Sequence, residues 1–148
     1  VTITDNKALT GGGVHMAGDA TPNSTRTNIR NSVVYGNQAT VGPDCFTGGL
    51  LSLASLDYNA FQTLEQCKVT GELAHNLVGQ DPQVAPLADN GGFTRTQAIK
   101  KGSVAATLGR PGACQDHMGQ SIQVDQRGFQ RPAGDRCDIG AFEAEAKP

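Results

Sequence analysis

Seven charged side chains crowd the end of the chain: Asp125, Arg127, Arg131, Asp135, Arg136, Asp138 and Glu143. Carboxylates and guanidiniums at that density suit a metal site, a sugar site, or a network in which arginine forks satisfy carboxylates and turn carbonyls. The network is the stronger reading, because the open end of a stacked β structure is a sheet edge that must be covered. Asp125, Arg127, Arg131, Asp138 and Glu143 are its expected members. Asp81, Asp89 and Asn90 offer oxygen ligands of the kind calcium takes. Their surroundings, Asp81-Pro82-Gln83 and Ala88-Asp89-Asn90-Gly91-Gly92, lack the spacing of an EF-hand loop or a calcium-binding nonapeptide. Both stretches read as Asx turns, with Asp81 and Asp89 left as weak calcium candidates. His15, His75 and His117 stand far apart, with no HExxH pattern and no second carboxylate at useful spacing, and read as ordinary histidines. No GxSxG or Cys–His nucleophile pattern occurs. Glycoside hydrolysis needs two carboxylates across a cleft, and the glutamates are only Glu65, Glu72, Glu143 and Glu145. No residue emerges as catalytic, and no cofactor is implied.

Four cysteines carry a different chemistry. Cys45 and Cys67 bound one span, Cys114 and Cys137 bound another of nearly the same length, and no CxxC is present. That argues against a zinc ribbon or a thioredoxin-like centre. An even number in a turn-rich chain points to disulfides and an oxidising compartment. Of the three pairings, the two local ones are favoured because each closes a single loop, contributing on the order of 3 kcal/mol by loop closure. Four buried free thiols are the alternative.

The elements that must position these groups are short. A chain of 148 residues is one domain by length. Its net charge of −2 and pI near 5.9 give no general attraction to nucleic acid or anionic membrane. Low charge (18%) with 19 glycines suits strands joined by tight turns better than helices held by ion pairs. No apolar run is long enough to span a membrane. The start at Val1, inside a repeat and without a basic stretch or apolar leader, predicts a processed product or part of something longer.

That repeat is the clearest signal. "ITDNKALTGGGVH" (3–15) and "VVYGNQATVGPDC" (33–45) align Asn6 with Asn37 and Gly11 with Gly42 at one common offset. A period of that length marks stacked supersecondary units. Asn-x-Ala reads as a repeated corner: Asn6 and Asn37 stack as an amide ladder, and Gly11, Gly12 and Gly13 admit unusual backbone angles at the next turn. "VTIT", "GVHMA" and "TRTNIRNSVVY" read as strands around an exposed loop, "GDATPNS". "SLASLDYNAF" and "TQAIKKGSVAATL" could each hold a turn of helix. "DIGAFE" is expected to be a strand before a polar tail. Asn23-Ser24-Thr25 is a glycosylation sequon, meaningful only in a eukaryotic secretory pathway.

The repeat resembles that of bacterial surface β-helix proteins, including the polymorphic outer-membrane protein repeat. "GPDC", "LDYNAF", "DPQVAPLADNGGFTRTQAIKKGSVA" and "DQRGFQRPAGDRCDIGAFE", in that order, resemble the C-terminal region of right-handed parallel β-helix proteins with a choice-of-anchor Q domain. The chain departs from the usual phrases in Tyr58-Asn59-Ala60-Phe61-Gln62 and in Gly102-Ser103-Val104-Ala105-Ala106-Thr107. The resemblance implies β-helix coils over 1–44 and, over 45–148, the end of the same continuous domain with a turn-rich, disulfide-bonded cap. It implies the pairings Cys45–Cys67 and Cys114–Cys137, and export to the cell surface.

Three functions fit this reading. The first is a non-catalytic exported module for adhesion, display or assembly, contacting a surface glycan, a protein, or another copy through its open β-helix end. The second is the C-terminal part of a polysaccharide lyase-like enzyme, by fold analogy alone; Lys7, Arg26 and Arg30 are the only basic residues in the repeat-like portion. The third is a structural subunit of an extracellular fibre. The first is preferred.

Overall fold

Runs of two to five extended residues, broken by Gly, Asn and Asp, leave almost no room for helix. The computed structural model describes residues 1–18 and 27–147. Among them it contains seventeen short strands and one helical turn. The chain first lays down β1 (Thr2–Thr4), β2 (Lys7–Thr10), β3 (Val14–Met16) and β4 (Thr27–Ile29). It then repeats the route with β5 (Val33–Tyr35), β6 (Gln38–Val41), β7 (Cys45–Thr47) and β8 (Leu53–Leu56). Each second-pass strand pairs in parallel with its first-pass counterpart: Ile3 opposite Val34, Ala8 opposite Ala39, Val14 opposite Cys45, Asn28 opposite Ala54. A shorter third pass keeps only β9 (Ala60–Phe61) and β10 (Val69–Glu72), and β11 (Leu77–Val78) begins a fourth. The result is a four-stranded parallel sheet β1-β5-β9-β11, a three-stranded parallel sheet β4-β8-β10, and two parallel pairs.

The rest of the chain is antiparallel. β12 (Val84–Ala88) pairs with β13 (Thr96–Ile99), after which α1 (Val104–Thr107) makes one turn capped by the Ser103 hydroxyl. β14 (Arg110–Pro111) pairs with β17 (Arg136–Cys137), and β15 (Cys114–Gln115) with β16 (Ser121–Ile122). The sheets are small and separate.

Side-chain alternation explains where the core sits. In β5 and β9 both faces are buried, so Val33, Val34, Ala60 and Phe61 are all fully covered. Val34 and Phe61 point to one side, where they meet Met16, Ile29, Leu53, Cys45 and Cys67, with Ile3 and Val14 packed beside them. Val33 and Ala60 point to the other side, where Leu77, Ile99, Ala105, Ile139 and Phe142 cover them. A strand buried on both faces reads as a continuous apolar run.

Several expectations are corrected. "SLASLDYNAF" supplies strands β8 and β9, not helix; β8 lies between the parallel strands β4 and β10, and Leu53, Ala54 and Ser55 are buried. The helical turn falls in the other candidate, at α1. "TRTNIRNSVVY" is not one strand: its described part splits into β4 and β5, because Asn31 takes a left-handed φ of 48°. Asp138–Glu143 is no strand. Its amides serve other elements: Ile139 N donates to Ala105 O, Gly140 N to Asn31 O and Ala141 N to the Thr2 hydroxyl. The C-terminal lid therefore lies along the outer face of the four-stranded sheet. Val78, on the inward row of the last pass, stays 46% exposed. "GDATPNS" from Asp19 onward, the sequon and Arg26 fall outside the described residues.

Candidate functional site

The repeated asparagines sit at equivalent corners. Asn6 Nδ2 donates to Asn37 Oδ1 at 2.9 Å, and the Asn6 amide donates to the same oxygen at 3.2 Å. Asn37 Nδ2 donates to Ile3 O and to Asp44 Oδ1. The other Asp44 oxygen accepts from the amides of Gln62 and Thr63 at 2.6 and 3.2 Å. A buried carboxylate thus takes the place of a third rung where the third pass is cut short. The turn itself is sharper than Asn-x-Ala suggested: Asp5 turns with φ 58°, and Lys7 and Ala8 already belong to β2. Gly11 makes the next turn at φ 65°, while Gly12 and Gly13 press against Pro43 O and Asp44 O of the neighbouring pass.

Both disulfides are formed, Cys45–Cys67 and Cys114–Cys137. The second lies beside the charge cluster. There Arg127 donates through Nε and Nη2 to Asp125 Oδ2, and Arg131 Nε donates to Glu143 Oε2 at 3.1 Å. All four side chains are at most 6% exposed. The two guanidiniums also donate to backbone carbonyls, Arg127 to Glu143 O and Arg131 to Gly140 O and Asp138 O, and Arg127 stacks over Phe142 at 3.6 Å. Burial pushes the Asp125 carboxyl up, but Arg127 and three backbone amides outweigh it and hold it below its ordinary value. Asp138 has no such fork. Burial raises its carboxyl to about 7, and Glu143 adds to the rise against the hydrogen bond from Ala144 N. Asp135 and Arg136 stand outside these two ion pairs, with Arg136 donating to Gly109 O.

Asp81 and Asp89 each accept from the backbone amide two residues on, Gln83 N at 2.8 Å and Gly91 N at 3.1 Å, closing Asx turns. Among the described residues, the one group with metal-ligand spacing is Cys114, Cys137 and Glu143. Its two sulfurs are bonded to each other, so they offer no thiolates.

The most varied chemistry gathers at the corner that follows β4, β8 and β10. Asp57 and Tyr58 are consecutive non-glycine residues at positive φ, 71° and 55°. Such backbone costs of order 1–3 kcal/mol per residue and persists where the surroundings enforce it. Here His75, one pass on, enforces it: its ring Nδ1 lies 2.6 Å from Asp57 Oδ2, its amide donates to Asp57 Oδ1 at 2.8 Å, and its ring stacks on Tyr58 with centroids 4.7 Å apart. That separation equals the spacing of neighbouring strands. Burial would raise the Asp57 carboxyl, but the His75 ring and backbone bonds hold it below its usual range. Beside this corner opens a cavity of about 350 Å³ lined by Arg30, Asp57, Tyr58, Glu72, Arg110 and Gln115, among others. Arg30 is fixed by donating to Leu56 O, Gln115 Oε1 and Asp116 O, and Arg110 by donating to Ala113 O. His15 instead sits on Thr10 O and the edge of Phe46, and His117 lines a separate cavity beside Ile3 and Ile29.

The Asp57–His75 pair escaped sequence reasoning because its members belong to different passes and share no local motif. A signal existed: Asn59-Ala60-Phe61 is echoed by Asn76-Leu77-Val78. The two form a second ladder, in which Asn59 N donates to Asn76 Oδ1 at 2.9 Å and Ser32 N to Asn59 Oδ1. No family model matches the chain, and no curated protein or solved structure is similar to it at a significant level.

Proposed function

We propose that the chain is part of an exported right-handed parallel β-helix protein of the choice-of-anchor Q type, a non-catalytic module for surface display, adhesion or assembly. The observation that carries this reading is the register: four strand positions of the first pass each pair in parallel with the strand that holds the same place in the second. Parallel strands joined by crossovers in one sheet wind right-handed, and stacked passes leave long rigid flanks suited to contact. The two disulfides suit an oxidising compartment. The titratable groups support the same reading, since Asp44, Asp125 and Glu143 accept from backbone amides, and Arg127 and Arg131 donate to backbone carbonyls and to the carboxylates of Asp125 and Glu143.

A glycan array probed with the folded chain tests it, run beside an ultraviolet assay for unsaturated products on uronate polymers. Retention on one glycan class without product supports display. Product formation would overturn the reading in favour of a lyase. Light scattering gives a further check: a concentration-dependent ladder of sizes would move the assignment to a fibre subunit joined through open β-helix ends.

A further inference from the structure

Arginine is charged at every accessible pH, so a half-buried guanidinium without a carboxylate partner is a standing demand for an anion. Among the described residues, the two arginines of the charge cluster that reach acidic partners, Arg127 and Arg131, hold them as ion pairs. Arg30 and Arg110 do not: neither has a carboxylate within salt-bridge distance among the described residues, and both line the corner cavity. They are nonetheless held in place by backbone carbonyls and Gln115. The same cavity is lined by Glu72, Asp57 and Gln115, whose side-chain oxygens accept hydrogen bonds, and by the ring of Tyr58, one face of which His75 covers.

We propose that this cavity binds a carboxylated saccharide, a sugar ring bearing a uronate group, with Arg30 and Arg110 taking the carboxylate. Guanidinium forks match carboxylate geometry. Glu72 and Gln115 receive sugar hydroxyls, which a bare anion such as phosphate cannot supply and which make the mixed charge of the cavity useful. Tyr58 gives an amphipathic surface for the ring. The strained Asp57–Tyr58 backbone and the bond to His75 preset that surface before any ligand arrives. The proposal rests on the display reading and names the glycan class that reading leaves open.

The test is titration of the isotope-labelled chain with trigalacturonate, with maltotriose as the neutral counterpart and inorganic phosphate as the bare anion. Trigalacturonate is expected to shift the amides of Tyr58, Arg110 and Gln115, to weaken with added salt, and to bind about tenfold or more less tightly to Arg110→Gln. Tyr58→Asn, which keeps a residue tolerant of left-handed backbone, is expected to weaken binding while the fold stays intact. Equal binding of maltotriose or phosphate, shifts confined to another surface, no shift at millimolar trigalacturonate, or unchanged affinity in both variants would overturn the proposal. Retention of a neutral glycan on the array would sink this inference and leave the display reading standing.

Discussion

Asn37 and Asn6 look alike in sequence and differ in consequence. Asn37 is 4% exposed and ties the first two passes together: it accepts from Asn6 and donates to Ile3 O of the first pass and to Asp44 of its own. Asn6 is exposed and gives only to its neighbours. Asn37→Ala is expected to cost about 2–3 kcal/mol, since buried partners lose their bonds, while Asn6→Ala costs about 1 kcal/mol; urea midpoints with an unchanged slope measure both. Asn37→Asp should be worse than Asn37→Ala, because it sets a second carboxylate against Asp44. Asp138 brings a pH dependence of the opposite sign to most carboxylates. With a folded value near 7 and an unfolded one of about 3.9, it binds its proton more tightly when folded. Its contribution to stability therefore falls as pH rises from about 4 to 7 and is level above that. Asp57 and Asp125, held low when folded, contribute stability that disappears as pH falls below the ordinary carboxylate range. Asp138→Asn keeps an acceptor for Ala144 N and isolates the first effect. The variant should be more stable than the parent at pH 8 and nearly equal to it at pH 4.5; an equal gap at both would show that Asp138 does not titrate in this range.

At the scale of elements, the close approach of passes is the constraint a side chain meets first. A Cβ on Gly13 would lie 2.5 Å from Asp44 O and 2.8 Å from a Val34 methyl, both on the next pass. Gly13→Ala must push β3 away from β7, at about 1–3 kcal/mol, and should speed amide exchange in those two strands before the rest. The Asn and Gly positions that make this packing were legible because the first two passes are equal in length along this stretch. Asn6 and Gly11 recur as Asn37 and Gly42 at one offset, and an amide ladder needs an amide at the same place each time. The later passes shorten, since the step from Val33 to Ala60 is smaller than that from Thr2 to Val33, and the step from Ala60 to Leu77 smaller again. Asn59 and Asn76 therefore did not stand out as a period. The apolar run at Leu53–Leu56 could not be told from helix, since periodicity vanishes when both faces are buried. Asp138–Glu143 alternates like a strand, yet its backbone amides go to α1, to the turn before β5 and to Thr2, partners that no local pattern reveals. The disulfide pairing and the ionic cluster lay on the surface of the sequence; the Asp57–Tyr58–His75 corner did not, because contact between successive passes has no fixed spacing once the passes change length.

For the whole molecule, the question is whether the parallel passes and the antiparallel C-terminal region are one cooperative unit. β5 and β9 belong to both: Val34 and Phe61 build the inner cluster, Val33 and Ala60 the outer one. Ile139 is fully buried in the outer cluster and bonded through its amide to α1. Ile139→Ala removes apolar volume that neither side can readily refill, at about 2–5 kcal/mol. If the shared sheet couples the two regions, exchange should quicken in β5 and β9 as well as in the C-terminal residues, and urea should still unfold the variant in one step. The Cys114–Cys137 bond bears on the same coupling, because Cys137 is contacted by Asn31 Nδ2 from the turn between β4 and β5. Reducing both disulfides should lower stability by about 3 kcal/mol for each bond that closes a loop of this size, with both regions affected together. A variant in which the C-terminal amides exchange freely while β5 and β9 keep parental protection would show two independent units. Burying each of these strands on both faces would then have to be explained without the cooperativity that a shared, doubly covered sheet requires.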